Sequence, residues 1–327
     1  MMMPYPWQMP LWQQLSARRA DNRMPHALLL DGPAGLGKRH FAECLARALL
    51  CTSPGEAGTA CGRCRSCQLA QAGSHPDRLI VEPEAPGKQI VVDQIRGVGE
   101  FQVLTRKHAP HKVITIAAAE NMNANAANSL LKNLEEPSAG TVLLLIAERR
   151  AQLPATVRSR CQRLTFAVPP REAVQSWLAP QLADPAQAEL LLALSQGSPL
   201  VALALAQGDT LAQRAAVFGQ WIGVAQGDTP PLSAAADFLK RDLRQLLSLC
   251  LGWTADLVRL RAAGAAAVLQ NPDLRAPLQD LTNRLDLPQL LEFHDRVRNA
   301  LRLAPTSVND QLLVEDLLVA WARPSHP

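Results

Sequence analysis

Asp31-Gly32-Pro33-Ala34-Gly35-Leu36-Gly37-Lys38-Arg39-His40 decides how this chain is read. The apolar run Ala27-Leu28-Leu29-Leu30 before it predicts a short buried strand. Phe41, Cys44, Leu45, Ala48 and Leu49 after it recur at the spacing of one helix face. Strand, glycine turn and helix together make G-x-x-x-x-G-K a phosphate cradle. Gly32, Gly35 and Gly37 let backbone N–H groups curl around an anion, the helix N-terminus adds its dipole, and Lys38 reaches the outer phosphates. The next residue should be a Ser or Thr that holds magnesium, and here it is Arg39.

A working site also needs an acid after a neighbouring strand for the metal and a second carboxylate to orient water. The strand that should supply them, Val113-Ile114-Thr115-Ile116, runs into Ala117-Ala118-Ala119, and the first acid is Glu120. Both magnesium-side requirements fail together, so hydrolysis in this chain's own site is not expected. ATP binding without hydrolysis stays open.

Further strands are predicted at Leu79–Val81, Lys112–Ala117, Thr141–Ala147 and Arg163–Ala167, with helices between them, including one over Asn121–Glu136 stopped by Pro137. Apolar strands alternating with helices predict a parallel sheet covered on both faces, an α/β domain with phosphate at the carboxyl end of the first strand. Pro169-Pro170 ends that pattern. From there the reading is all-α, a small helical piece to Gly208-Asp209 and a larger one beyond.

Cys51, Cys61, Cys64 and Cys67 form C-x9-C-x2-C-x2-C inside an insertion, 51–67, with almost no large apolar residue. Two residues between cysteines let a tight turn present both thiolates to one ion, and four sulfurs make a closed tetrahedral zinc site. Structural zinc is the reading, with an iron–sulfur cluster or plain thiols as its rivals. Cys44 sits on an apolar helix face and reads as core, while Cys161 and Cys250 are isolated.

Composition agrees with this outline. The 327 residues allow two or three domains, and seven unevenly clustered cysteines fit a reducing cytoplasm better than a disulfide framework. The N-terminus through Trp12 is uncharged and broken by Pro4, Pro6 and Pro10, unlike a signal peptide. A net charge of +4 permits nucleic acid without arguing for it, and any DNA contact should be phosphate-directed. A zinc protein that binds nucleic acid directly is disfavoured, since the insertion offers Arg63 and Arg65 but no aromatic residue to stack on bases.

Several motifs then fall in one order: Pro25-His26-Ala27-Leu28-Leu29, Gly32–Lys38, the four cysteines, His75-Pro76-Asp77, Leu130-Leu131-Lys132-Asn133-Leu134-Glu135-Glu136-Pro137 and Ser159-Arg160-Cys161. Together they resemble the clamp-loader branch of the AAA+ ATPases, over nearly the whole chain. The resemblance implies a RecA-like sheet domain (1–167), a helical lid (168–208) and a helical collar (209–327). It implies a five-subunit ring with motor subunits of gamma/tau type and a clamp-opening delta subunit, acting on a sliding clamp and primed DNA.

The departures at Arg39, Ala117-Ala118 and Pro199-Leu200 point within that branch to a non-hydrolysing member. Such a member's Ser-Arg-Cys arginine, here Arg160, serves as an arginine finger in trans for a neighbouring subunit's ATP. The alternative is a motor-type ATPase in its own right, which needs Glu120 or another acid to replace the missing pair.

Overall fold

The computed structural model describes residues 2–322 apart from 56 and 86. They divide into two compact units: the first runs to Trp177 and includes Ser198–Leu200, and the second takes Leu178–Gly197 and the chain from Val201 onward.

The first unit is built on five parallel strands: β1 (Ala27–Asp31), β2 (Arg78–Val81), β3 (Lys112–Ile116), β4 (Thr141–Ala147) and β5 (Gln162–Thr165). Their order across the sheet is β2-β3-β4-β1-β5, so β1 lies between β4 and β5. Strand side chains alternate between faces, and the core divides accordingly. Leu28, Leu30, Leu144 and Ile146 pack with Trp12 of α1 (Met9–Ala20) and with Phe41 and Leu45 of α2 (Lys38–Leu50). Leu29, Ile114, Leu143 and Leu145 pack on the other face. There they meet Ile95 and Val98 of α4 (Val92–Val103) and Leu130 and Leu134 of α5 (Ala124–Glu135). A short α3 (Arg65–Gln71) precedes β2, and a one-turn α6 (Ala155–Arg158) precedes β5.

Helix α5 starts three residues later than the sequence pattern suggested. Asn123 has extended backbone and its side chain accepts the Ala126 N–H at 2.8 Å, so the N-cap sets the boundary.

After β5 every regular element among the described residues is helical. The helices are α7 (Arg171–Leu178), α8 (Ala188–Leu194), α9 (Pro199–Ala206), α10 (Thr210–Gln226), α11 (Pro231–Phe238), α12 (Leu243–Ala263), α13 (Arg275–Thr282), α14 (Leu287–Leu303) and α15 (Asp310–Ala322). The core of the second unit centres on Trp221, Trp253 and Trp321. Trp221 and Trp321 stack with centroids 4.2 Å apart, and the Trp321 indole N–H donates to the Trp221 carbonyl at 2.9 Å. Buried Asp256 accepts the Gln270 and Asn271 amides at 2.9 and 2.8 Å, which pins the segment between α12 and α13. No helix among the described residues is long and apolar enough to cross a membrane.

Candidate functional site

The phosphate loop leaves the carboxyl end of β1, as its motif requires. Gly32 has φ +143°, and a Cβ there would lie 2.2 Å from the Phe166 carbonyl oxygen, so only glycine lets the loop pass the end of β5. Gly37 has φ +80° and closes against Tyr5, whose ring would stand 2.7 Å from an added Cβ. The uncharged N-terminal segment grips the loop from outside. The Trp7 indole N–H donates to the Leu36 carbonyl at 3.1 Å, and the buried Gln8 amide donates to the Leu36 and Gly37 carbonyls at 2.9 and 3.0 Å. Sequence reading treated that segment only as unlike a signal peptide; its Tyr-Pro-Trp-Gln was the available signal.

The cation of the motif is turned onto its own loop. Lys38 Nζ donates to the carbonyls of Gly32 at 2.7 Å and Pro33 at 2.6 Å, and the residue is buried. Burial lowers its pKa, partly offset by the negative charges of Glu148, Glu120 and Asp31. Arg39 is ion-paired with Glu82, which follows β2. A cavity of about 650 Å³ beside the loop is bordered by Lys38, Arg39, Glu82, Ala118, Glu120 and Glu148.

At its β3 border stand Ala117 and Ala118, the latter in left-handed conformation (φ 53°). Glu120 does reach the cavity, but its Oε1 accepts the backbone N–H groups of Glu148 at 2.9 Å and Arg149 at 3.3 Å. It thereby caps the exit of β4. Glu82 and Glu148 were missed from the sequence because they follow different strands and meet only in the folded sheet. Asp31 opens the stretch in the sequence, but its partners appear only in the fold: buried at the loop's start, it accepts the Arg163 Nε–H at 2.9 and 3.1 Å and lies 3.4 Å from Arg150 Nε.

The four predicted cysteines do come together. Their sulfurs all lie within 4.8 Å of one another, with Cys51–Cys64 and Cys61–Cys67 each at 3.9 Å. A tetrahedral ion with metal–sulfur bonds of about 2.3 Å sets its sulfurs about 3.8 Å apart. The set therefore fits one ion, whereas a multi-iron cluster would hold its cysteines further apart. Backbone amides of Cys61, Cys64 and Cys67 donate to the sulfurs of Cys51, Cys61 and Cys64 at 3.3–3.4 Å, which favours thiolate. Burial works to raise the Cys64 thiol, but hydrogen bonds from the Thr52 side chain and the Cys67 amide bring it down to about 6, whereas burial raises Cys51 and pushes Cys67 up to about 12. Cys44 lies in the core, where burial pushes its thiol up to about 12.

Arg160 stands elsewhere. It follows α6 and precedes β5, near the amino end of that strand, whereas the phosphate loop leaves the carboxyl end of β1. Asp31 pairs with Thr165 in the parallel register, whereas Arg160 comes two residues before the first residue of β5, Gln162, and so lies toward the amino end of the strands. The side chain is 36% exposed, with Nη1 donating to the Thr156 carbonyl at 3.0 Å and Nη2 lying 2.5 Å from Glu135 Oε1. The structure thus brings the cysteines together and keeps Lys38 and Arg160 toward opposite ends of two neighbouring strands, β1 and β5. Burial pushes the thiol of Cys161, next to Arg160, up to about 11.

A parallel sheet in this order, with a glycine loop leaving β1 and Ser159-Arg160-Cys161 leading into the edge strand β5, defines a phosphate-loop α/β domain, here followed by helices. Residues 7–170 match the family model described as DNA polymerase III, delta subunit, and 208–323 match its C-terminal counterpart. The chain is 41% identical to DNA polymerase III subunit delta' of Pseudomonas aeruginosa over 322 residues, covering 97% of each. It is 36% identical to that of Escherichia coli, covering 96% of this chain and 94% of that one. Among solved structures, a gamma subunit-related protein of Thermotoga maritima aligns over 96% of this chain and 100% of that one, at 19% identity and a TM-score of 0.48. The chain belongs to the family of DNA polymerase III delta-prime subunits.

Proposed function

We propose that this chain is a non-hydrolysing subunit of the clamp loader of the cytoplasmic DNA polymerase III holoenzyme. Its own catalytic contribution is Arg160, offered in trans to the ATP of a neighbouring subunit during loading of the sliding clamp onto primed DNA. The observation that carries this reading is the contrast between the two cations. Lys38 is bonded to the carbonyls of its own loop, beside a β3 exit that ends in Ala117-Ala118. Arg160 stands toward the opposite end of the strands from that loop, partly exposed and paired with Glu135. A guanidinium stays charged and presents fixed donors that suit a phosphate oxygen.

The partners on this reading are gamma/tau-type motor subunits and a delta subunit in a five-membered ring. The sheet domain (1–167) and a helical lid (168–208) face the nucleotide interfaces, and a collar (209–327) assembles the ring. Gly32, Gly35, Gly37 and Lys38 form a degenerate loop. Any nucleotide there is held without turnover, because Ala117-Ala118 stand at the exit of β3 where the magnesium-side acids would be needed. Zinc on Cys51, Cys61, Cys64 and Cys67 braces the insertion and takes no part in the reaction.

The test is Arg160→Ala in a reconstituted loader, with DNA-stimulated ATP turnover and clamp loading as readouts. An arginine finger is worth about 10³–10⁵ in rate at the site it serves. A slowed assembly supports the reading, and unchanged turnover and loading overturn it. ATP turnover by the isolated chain, lost in Lys38→Ala, would instead establish a motor-type ATPase.

A further inference from the structure

His75-Pro76-Asp77, between α3 and β2, belongs to none of the sites above, yet its polar groups are among the most buried in the first unit. Ser66 is 2% exposed, His75 4% and Asp77 fully buried. Ser66 occupies the second position of α3, between Cys64 and Cys67. Its hydroxyl donates at 2.6 Å to the carbonyl of Leu50, the residue before Cys51. That donation uses its only proton, so in the 2.6 Å contact with His75 Nε2 the imidazole N–H must donate to Ser66 Oγ. The other ring nitrogen, Nδ1, accepts the Asp77 N–H at 3.0 Å. Both partners dictate the same neutral tautomer.

The chain of bonds continues beyond the ring. The Asp77 carboxylate accepts the backbone amides of Lys107 and His108 at 2.8 Å and of Ala109 at 3.0 Å, in the loop that leads into β3. One buried line of hydrogen bonds therefore runs from the carbonyl beside Cys51, through the residue between Cys64 and Cys67, to the loop at 107–109. The cysteine insertion has little apolar material of its own to fix these angles.

We propose that His75 is a positioning residue for the metal site. Through Ser66 it sets α3 against the end of α2, so that Cys64 and Cys67 converge with Cys51. Through Asp77 it ties metal occupancy to the order of the 107–109 loop. This rests on the metal reading above. Groups that orient metal ligands typically cost 10–100-fold in affinity when removed, and a coupling between two places acts equally in both directions.

The experiment uses the full chain, with zinc affinity measured by chelator competition and the site geometry read from the absorption of the cobalt-loaded protein. Metal uptake by the unmodified chain is measured first; if it takes up neither zinc nor cobalt, the metal reading itself has failed. With uptake established, His75→Ala and Ser66→Ala are each expected to weaken zinc binding about 10–100-fold. His75→Gln, which restores an N–H toward Ser66, should recover part of the loss. Leu130→Ala, in the sheet core, supplies the comparison: it should lower thermal stability while leaving zinc affinity unchanged. Zinc removal should speed hydrogen exchange at the Lys107, His108 and Ala109 amides in the unmodified chain but not in His75→Ala. Unaltered zinc affinity in both His75→Ala and Ser66→Ala, or a loss matched by Leu130→Ala, overturns the proposal. If His75→Ala does not fold, Ser66→Ala carries the test alone.

Discussion

The cysteine insertion and the phosphate loop are both spelled by spacing in the sequence, and they fare differently in the fold. The insertion's ligands come from one stretch of seventeen residues, and the fold gathers all four sulfurs within 4.8 Å. The loop is equally well formed, with its glycines in the conformations the motif needs, but its chemistry depends on other strands. Those strands supply Ala117-Ala118 at the exit of β3 and a Glu120 whose Oε1 is bonded to backbone amides beyond β4. A site whose parts are neighbours in sequence survives or fails as a unit. A site assembled from several strands loses its chemistry one strand at a time, while its most recognisable part persists as scaffold.

The largest expected effect tests the local site. Cys61→Ser should abolish tight zinc binding, seen as loss of stoichiometric metal in the purified chain, because three sulfurs leave the tetrahedron open. The sheet should keep its secondary structure, since its two core layers contain none of the four ligands. Collapse of the sheet on metal removal would show the two regions to be less independent than the comparison holds.

The next effect contrasts the two cations. Arg160→Ala should slow the reconstituted assembly by a large factor at the interface it serves, whereas Lys38→Ala should leave turnover and loading nearly unchanged. The reverse ranking would restore the phosphate loop as the working site.

A smaller effect concerns the link between the insertion and the sheet. Burial works to raise the Asp77 carboxyl, but the amides of His108, Lys107 and Ala109 outweigh it and hold it below the usual carboxylate range. A depressed folded-state pKa contributes stability above the unfolded value, near 3.9, and that contribution fades as pH falls through the folded value. Asp77→Asn should therefore cost about 1–3 kcal/mol at neutral pH. It should cost progressively less in acid, as followed by urea midpoints from pH 7 to 3.

The smallest concerns Glu135, at the C-terminal end of α5, where the helix dipole disfavours a carboxylate. Its contact with Arg160 Nη2 offsets that cost and holds the guanidinium against α5. Both groups are well exposed, so Glu135→Gln should change stability by less than about 1 kcal/mol. Its effect should appear in loader turnover only when Arg160 is present, which a comparison of single and double variants would read.

Much of this protein is legible in its residues alone. Strand β4 spans the expected Thr141–Ala147, and α2 starts at Lys38, because continuous apolar runs and a glycine loop leave few local choices. The cysteine set needs only spacing. Less legible are contacts between segments far apart in the chain. Trp7 and Gln8 grip a loop some thirty residues on, and Asp31 pairs with Arg163, 132 residues away. His75 and Asp77 stand out as a motif without revealing that they link α3 to the loop before β3.

The sequence by itself determined the parallel sheet, the helical remainder, the four sulfurs and the loss of the magnesium-side acids. Those features follow from residue type and local period. The packed chain decided where the charges point. Lys38 turns back onto its own loop's carbonyls, Glu120 caps a neighbouring strand, and Arg160 stands toward the other end of the strands, paired with Glu135. Direction is set by which strands lie side by side, and no window of sequence contains both neighbours.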